Sequence, residues 1–259
     1  MVERAFSHNF FPIVVAHRGA SRTFAENTLE AFEGAIAAGA QAVELDIRLT
    51  ADGVPVVCHD PDLRRVAGRE GLIHKLALKD IQESPAPGSG SEAEVVPTLR
   101  EVFRLVSGRA AVDLEIKNIP GEPAFEPGGE AILEAAIREL GESEFSGPVL
   151  ISSFNRASVE RSRTIAPELP TGLLTLATAD PAEELPYMLE AGHEFLLPSV
   201  FALRAAGPSL VSRAHEEGLR IGTWTVDDPG EIRELFSWGV DALATNDPAT
   251  AVSIRRDFR

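Results

Sequence analysis

Apolar residues in this chain recur in two rhythms, and the first runs Ile13-Val14-Val15-Ala16 before breaking abruptly at His17-Arg18-Gly19. A short continuous apolar run suits a strand buried on both faces of a parallel sheet. Unpaired charge is costly to bury, so the strand must deliver His17 and Arg18 to its carboxyl end, where α/β sheets carry their chemistry. Leu29, Phe32 and Ile36 then recur at helical spacing, with Asn27 read as the N-cap, Glu30 reaching back to it, and Gly39 as the stop. The run Ala42 to Leu49 alternates strictly, placing Val43, Leu45, Ile47 and Leu49 on one face and Glu44, Asp46 and Arg48 on the other.

Asp52-Gly53 is a strong hairpin signal, and it turns the chain into Val54-Pro55-Val56-Val57-Cys58-His59. A hairpin partner is antiparallel, so this run doubles back and returns His59 toward Glu44 and Asp46. Residues 60–97 read as an irregular surface excursion, with Pro85 to Ser91 its least structured part. Thr98 and Glu101 form a capping box ahead of Leu99, Val102, Phe103 and Val106. Ala111 to Lys117 is the next strand, with Asp113, Glu115 and Lys117 on one face. Further strands are predicted at Pro148–Phe154, Gly172–Leu176, Glu194–Pro198, Arg220–Val226 and Ala242–Asn246. Caps and stops mark helices from Asp180-Pro181 to Gly192, Pro208 to Gly218 and Asp228-Pro229 to Gly239. Nine strand-like runs less the hairpin return leave eight, each followed by a helix. Eight parallel strands close a barrel, so the prediction is α/β: one (β/α)₈ domain over residues 1–259.

Composition narrows the function classes. A chain of 259 residues with 44% hydrophobic and 25% charged residues is expected to be soluble and to bury an ample core. Its net charge of −16 argues against nucleic acid or an anionic membrane as partner. Cys58 is the lone cysteine, which excludes an intramolecular disulfide and fits a cytoplasmic protein. Residues 1–11 lack the apolar core of a signal peptide, and no apolar run is long enough to span a bilayer.

The strand ends and the hairpin bring His17, Arg18, Glu44, Asp46, His59, Glu115 and Lys117 to one rim. Three converging carboxylates, Glu44, Asp46 and Glu115, would repel one another unless a divalent cation sat among them. All-oxygen ligation favours Mg²⁺ or Ca²⁺, and carboxylate count alone does not separate the two. Arg18 and Lys117 add positive charge suited to a phosphate, and His17 and His59 can serve as base and acid across a scissile bond. The implied chemistry is metal-assisted attack at phosphorus. Each piece has a structural reading too: Glu-x-Asp as a solvated face, His59 as a hydrogen-bonded framework residue, and Lys117 as a partner of Glu115 or Asp113. Cys58 reads as core, and Asp60, Asp62, Arg64 and Arg65 as surface turn residues.

His17-Arg18-Gly19 with Glu26-Asn27-Thr28, Glu44-Leu45-Asp46, Asp52-Gly53, His59-Asp60, Leu63, Arg65 and Pro97-Thr98-Leu99 resembles the glycerophosphodiester phosphodiesterase family. Leu114 to Lys117, Ser152-Ser153-Phe154, Thr223 to Val226 and Thr245-Asn246 extend the resemblance over nearly the whole chain. It implies hydrolysis of a small-molecule glycerophosphodiester to sn-glycerol 3-phosphate and an alcohol through a cyclic phosphate. Glu44, Asp46 and Glu115 would hold the metal, His17 and His59 would be the acid/base pair, and Arg18 and Lys117 would contact phosphate. His17 is set as base and His59 as acid, a choice the residues leave open, and Trp224 is set against the glycerol carbons. Ala25 and Val66 depart from the family pattern in loops. Leu196 to Phe201 depart from it near the pocket, where many relatives carry polar or histidine side chains. Residues 118–129, with Phe125, could form a lid or apolar wall, so Phe125, Phe201 and Trp224 motivate a lysophospholipase D-type alternative. A non-catalytic phosphate-binding barrel is the third reading. The oligomeric state is left unspecified.

Overall fold

In the computed structural model, which describes residues 12–82, 96–128 and 130–258, nine strands form one sheet. They are β1 (Ile13–His17), β2 (Ala42–Leu49), β3 (Pro55–Val57), β4 (Ala111–Ile116), β5 (Val149–Ser153), β6 (Thr171–Thr175), β7 (Phe195–Pro198), β8 (Arg220–Thr223) and β9 (Ala242–Thr245). The order β1-β9-β8-β7-β6-β5-β4-β2 is closed by a direct β1–β2 pairing, and every one of these pairs is parallel. The remaining strand, β3, stands outside this ring and lies antiparallel on β2, with Ile47 opposite Val57 and Leu49 opposite Pro55. The fold is therefore a closed eight-stranded parallel barrel with a hairpin, as the alternation and the Asp52-Gly53 turn predict. Gly53 supplies the turn's positive φ of 78°.

The helices are α1 (Leu29–Ala37), α2 (Arg64–Ala67), α3 (Leu78–Gln82), α4 (Leu99–Val106), α5 (Ala131–Glu142), α6 (Arg156–Ile165), α7 (Leu185–Ala191), α8 (Val200–Ala206), α9 (Pro208–Glu216), α10 (Pro229–Ser237) and α11 (Pro248–Arg255). Outward residues of the strands pack under them: Val43, Leu45, Ile47, Val112 and Leu114 meet Phe32, Leu99, Val102 and Phe103 in one continuous core. Val14, Leu173, Leu196, Ile221 and Leu243 meet the helices of the other half. The opposite set, including Val15, Ala42, Ala111 and Ala242, fills the barrel interior. Thr98 caps α4 in the expected box with Glu101.

Three expectations are corrected. The N-cap of α1 is Thr28, whose side chain accepts from the Ala31 amide; Asn27 instead turns left-handed at φ 60° and sends its side chain elsewhere. The excursion is not wholly irregular, because Leu63, Ala67, Ile73 and Ile81 bury beside Val56 and Cys58 and order α2, α3 and a 3-10 turn, Ile73–Lys75. Its Pro85 to Ser91 stretch lies outside the described residues. The strand β7 is followed by two helices, α8 and α9, where one was expected; Ser199 caps the first and Pro208 opens the second. No helix among the described residues is long and apolar enough to cross a membrane.

Candidate active site

The four buried residues of β1 end at His17, and the chain then reverses through Arg18 and Gly19 at φ 56° and 82°. That reversal aims the Arg18 backbone N–H at the Glu44 carbonyl, 3.1 Å away, and at Glu44 Oε2, 2.9 Å away. Parallel register sets His17 beside Glu44 and Asp46 beside Glu115. The hairpin completes the rim, since the Cys58 amide donates to the Asp46 carbonyl at 2.9 Å and leaves His59 next in line. Arg48, buried on the same face of β2, donates to the His59 carbonyl and pairs at 2.6 Å with Glu122 of the loop after β4. His17, Arg18, Glu44, His59, Glu115 and Lys117 all line one cavity of about 390 Å³, and Asp46 lies fully buried beside them.

Glu44, Asp46 and Glu115 each present a carboxylate oxygen within 4.8 Å of the other two. Burial and the neighbouring carboxylates push Glu44 well above the usual carboxylate range, and burial takes Glu115 up to about 7 despite Lys117 beside it. Burial also acts on Asp46, but Lys117, Arg18 and His59 outweigh it and hold that carboxyl low. Lys117 Nζ sits 2.6 Å from Glu115 Oε1 and 2.9 Å from Asp46 Oδ1, and Arg18 Nε sits 3.1 Å from Asp46 Oδ2. Glu44 Oε1 is buried with no hydrogen-bond partner, an arrangement that is expensive unless a cation takes it up. Three hard oxygen donors and an orphaned carboxylate oxygen fit a divalent ion of the Mg²⁺ or Ca²⁺ kind.

The two histidines are held differently. His17 Nδ1 lies 2.8 Å from Asn246 Oδ1, and Asn246 Nδ2 donates to Asp227 Oδ2 at 2.7 Å. A carboxylate can only accept, so Asp227 fixes the amide's orientation, His17 donates from Nδ1, and its Nε2 keeps a lone pair. Burial, reinforced by Arg18, lowers the His17 pKa. His59 Nδ1 lies 2.8 Å from Asp60 Oδ1, and Arg65 holds that carboxyl down at about 2. His59 is also lowered, chiefly by burial, with Asp46 and Asp60 opposing. Arg65 lies at the surface, as the sequence suggested, and Asp60 is half-buried, but the two are tied to each other and, through Asp60, to His59. Their neighbours Asp62 and Arg64 remain on the surface, where Arg64 pairs with Glu70.

Asn27, read as a helix cap, donates from Nδ2 to Asp46 Oδ2 at 2.8 Å. Asp227 had no signal in the sequence beyond lying near Trp224. Cys58 is buried core with its thiol pushed up to about 12, as expected of an inert cysteine. The opposite side of the cavity is apolar: Phe154 after β5, Leu174 and Leu176 around the end of β6, Leu197 of β7 and Trp224 after β8. Trp224 packs edge-to-face on Phe154 at 5.3 Å and donates from Nε1 to the Leu197 carbonyl. The loop after β4 contributes Ile119 and Glu122 to the wall, where Phe125 was expected. Phe201 is 74% exposed on α8 and is not among the residues lining the cavity.

Comparison with known proteins gives a consistent picture. The family described as "Glycerophosphoryl diester phosphodiesterase family" matches residues 17–250. A protein of Caldanaerobacter subterraneus subsp. tengcongensis named glycerophosphodiester phosphodiesterase is 35% identical over 248 residues, covering 94% of this chain and 98% of that one. A phosphodiesterase of Oleispira antarctica, solved in complex with the product sn-glycerol-3-phosphate, superposes with a TM-score of 0.84 at 27% identity, covering 97% of this chain and 99% of that one. The glycerophosphodiester phosphodiesterase of Thermotoga maritima gives a TM-score of 0.76, also at 27% identity, over 96% of this chain and 100% of that one.

Proposed function

Because the chain belongs to the glycerophosphoryl diester phosphodiesterase family, we propose that it hydrolyses glycerophosphodiesters to sn-glycerol 3-phosphate and an alcohol. The observation that carries this reading is the cavity itself, with two histidines, two cations and the carboxylates of Glu44 and Glu115 on one wall and Asp46 buried beside them. Glu44, Asp46 and Glu115 would hold one Mg²⁺ or Ca²⁺ ion, which when bound supplies positive charge to the phosphoryl oxygens and so offsets the acidic surface locally. Arg18 and Lys117 add charge to the same wall and would bind the phosphate. A cytoplasmic setting belongs to this reading and rests on composition.

His17 is assigned as the base of the first step, since Asn246 leaves its Nε2 with a lone pair. It takes the proton of the glycerol 2-hydroxyl as that oxygen bonds to phosphorus. The bond from phosphorus to the alcohol oxygen breaks, and His59, oriented through its Nδ1 by ionised Asp60, protonates the departing oxygen. The roles reverse in the second step. Neutral His59 takes a proton from water as its oxygen bonds to phosphorus, the cyclic P–O bond opens, and His17 returns its proton to the 2-oxygen.

One observation favours a second reading of the substrate. The apolar wall of Phe154, Leu174, Leu176, Leu197 and Trp224 suits a fatty chain, so lysophospholipids are candidate substrates for a phospholipase D-type cleavage. The deciding experiment is a panel of glycerophosphodiesters and lysophospholipids assayed with Mg²⁺ or Ca²⁺ and with chelator. Release of glycerol 3-phosphate, lost with chelator and in His17→Ala and His59→Ala, is expected. No turnover of any diester would sink the proposal, and turnover of short diesters alone would reject the lipid reading.

A further inference from the structure

Arg65 stands outside the cavity, yet it joins two of the side chains that the cavity uses. Its Nε and Nη2 engage Asp60 Oδ2 and Oδ1 at 2.7 and 3.1 Å, and the same Nη2 reaches Glu26 Oε1 at 2.8 Å. Each carboxylate hands the contact inward. Asp60 Oδ1 accepts from His59 Nδ1 at 2.8 Å, and Glu26 Oε1 accepts from Arg18 Nη1 at 3.0 Å. One guanidinium on α2 thus bridges the segment after the hairpin and the loop after β1, which are 39 residues apart at the Arg65–Glu26 contact.

An exposed ion pair contributes little to stability, and the Arg65 side chain is 48% exposed. Its geometry offers something else. A planar fork that grips one carboxylate with two N–H groups fixes orientation as well as charge, and a lysine cannot reproduce it. Without that grip Asp60 is free to turn to solvent, and the His59 ring loses the acceptor that aims its Nε2 into the cavity. Glu26 likewise loses the partner that steadies it against Arg18. Side chains one contact removed from the chemistry act in this way when they orient those that touch the substrate.

We infer that Arg65 is a positioning residue that sets His59, through Asp60, and Arg18, through Glu26, in a common frame for the departing alcohol and the phosphate. The inference rests on the reading of His59 as proton donor to the leaving oxygen. That dependence supplies a test, because an alkyl alcohol must be protonated as it leaves whereas p-nitrophenolate departs without a proton.

The full-length protein, loaded with its divalent ion, is compared on glycerophosphoethanolamine and on the p-nitrophenyl ester of glycerol phosphate. For Arg65→Ala, kcat on the alkyl diester is expected to fall about ten- to hundredfold, with a several-fold smaller loss on the nitrophenyl ester. Arg65→Lys should keep the same substrate bias, since one ammonium cannot grip Asp60 and Glu26 together. Arg64→Ala, on the same short helix, should match the wild type. The ratio of the two rates is internal to each preparation, so partial unfolding does not move it. His59→Ala serves as the reference. If it shows the bias and Arg65→Ala loses both activities equally, or loses neither, the role of Arg65 is overturned. Full recovery of the wild-type ratio in Arg65→Lys overturns it as well. If His59→Ala shows no bias, the donor assignment fails, and this role fails with it.

Discussion

At the residue scale, the site depends on side chains whose partners sit elsewhere in the sequence. Asn246 is one of them: removing its amide by Asn246→Ala leaves the His17 Nδ1–H without its acceptor and the ring free to turn. A drop in kcat of about ten- to hundredfold with KM little changed is expected in steady-state kinetics. Lys117 makes a sharper case, because its ammonium pairs with Asp46 and Glu115. Lys117→Met removes an ammonium that competes with a cation for those carboxylates and, on the proposed reading, a phosphate partner as well. Calorimetry should therefore show tighter metal binding while turnover collapses, and melting without metal should come at a lower temperature. The residues that present their own chemistry were legible from sequence, because alternation in β2 and β4 places Glu44, Asp46, Glu115 and Lys117 on one face. Asn27 was misread because an Asn ahead of an apolar helix looks like a cap, and only its left-handed backbone reveals that the side chain serves Asp46. Asp60 and Arg65 looked like turn residues because charge after a hairpin carries no mark of what it faces.

At the element scale, the two turns that carry the histidines differ in what they tolerate. Gly53, at φ 78°, has open space where a Cβ would project, so Gly53→Ala meets only the backbone cost of a left-handed residue, about 1–2 kcal/mol. Gly19, at φ 82°, is pressed against Ala31, and a Cβ there would lie 2.6 Å from the Ala31 backbone. Gly19→Ala therefore adds overpacking to strain, for a total of about 2–5 kcal/mol. It must also displace the turn that presents His17 and Arg18. Chemical denaturation should rank Gly19→Ala as the more damaging, and the activity of the folded fraction should fall in it and hold in Gly53→Ala. The hairpin was readable because Asp-Gly reports a local conformation, and β2–β3 pairing follows from it. Helices α5, α6, α8 and α11 were not placed from the sequence, α6 because its buried face is partly serine, with Ser158 and Ser162 beside Val159. The short helices after the hairpin order only by burying Leu63, Ile73 and Ile81 on neighbouring side chains, which no local pattern announces.

At the scale of the whole molecule, closure of the barrel divides its rim into a charged half on β1 to β4 and an apolar half on β5 to β8. The charged half was legible because acids and bases stand out against apolar strands. The apolar half was not, since Leu174, Leu176 and Leu197 look like ordinary core until the strands close around them. The division has a thermodynamic consequence, because Glu44 and Glu115 are packed together in low dielectric without enough opposing charge. Burial holds Glu115 at about 7 and Glu44 above its usual range, so near pH 6 the metal-free site retains protons. A cation binds the ionised carboxylates, and those protons must leave when it enters. Metal affinity should accordingly rise with pH up to about 7 and beyond while either group still titrates, by about tenfold per pH unit for each proton displaced, then level off. The sign is opposite to that of a carboxylate held low by ion pairs. Asp46 is such a group and stays ionised throughout, so it contributes no proton. Calorimetric titration of the metal-free protein in two buffers of different ionisation enthalpy measures the protons released. Release at pH 6 should exceed that at pH 8 and should shrink in Glu115→Gln. Equal release at both pH values would mean that the three carboxylates are not where the cation binds.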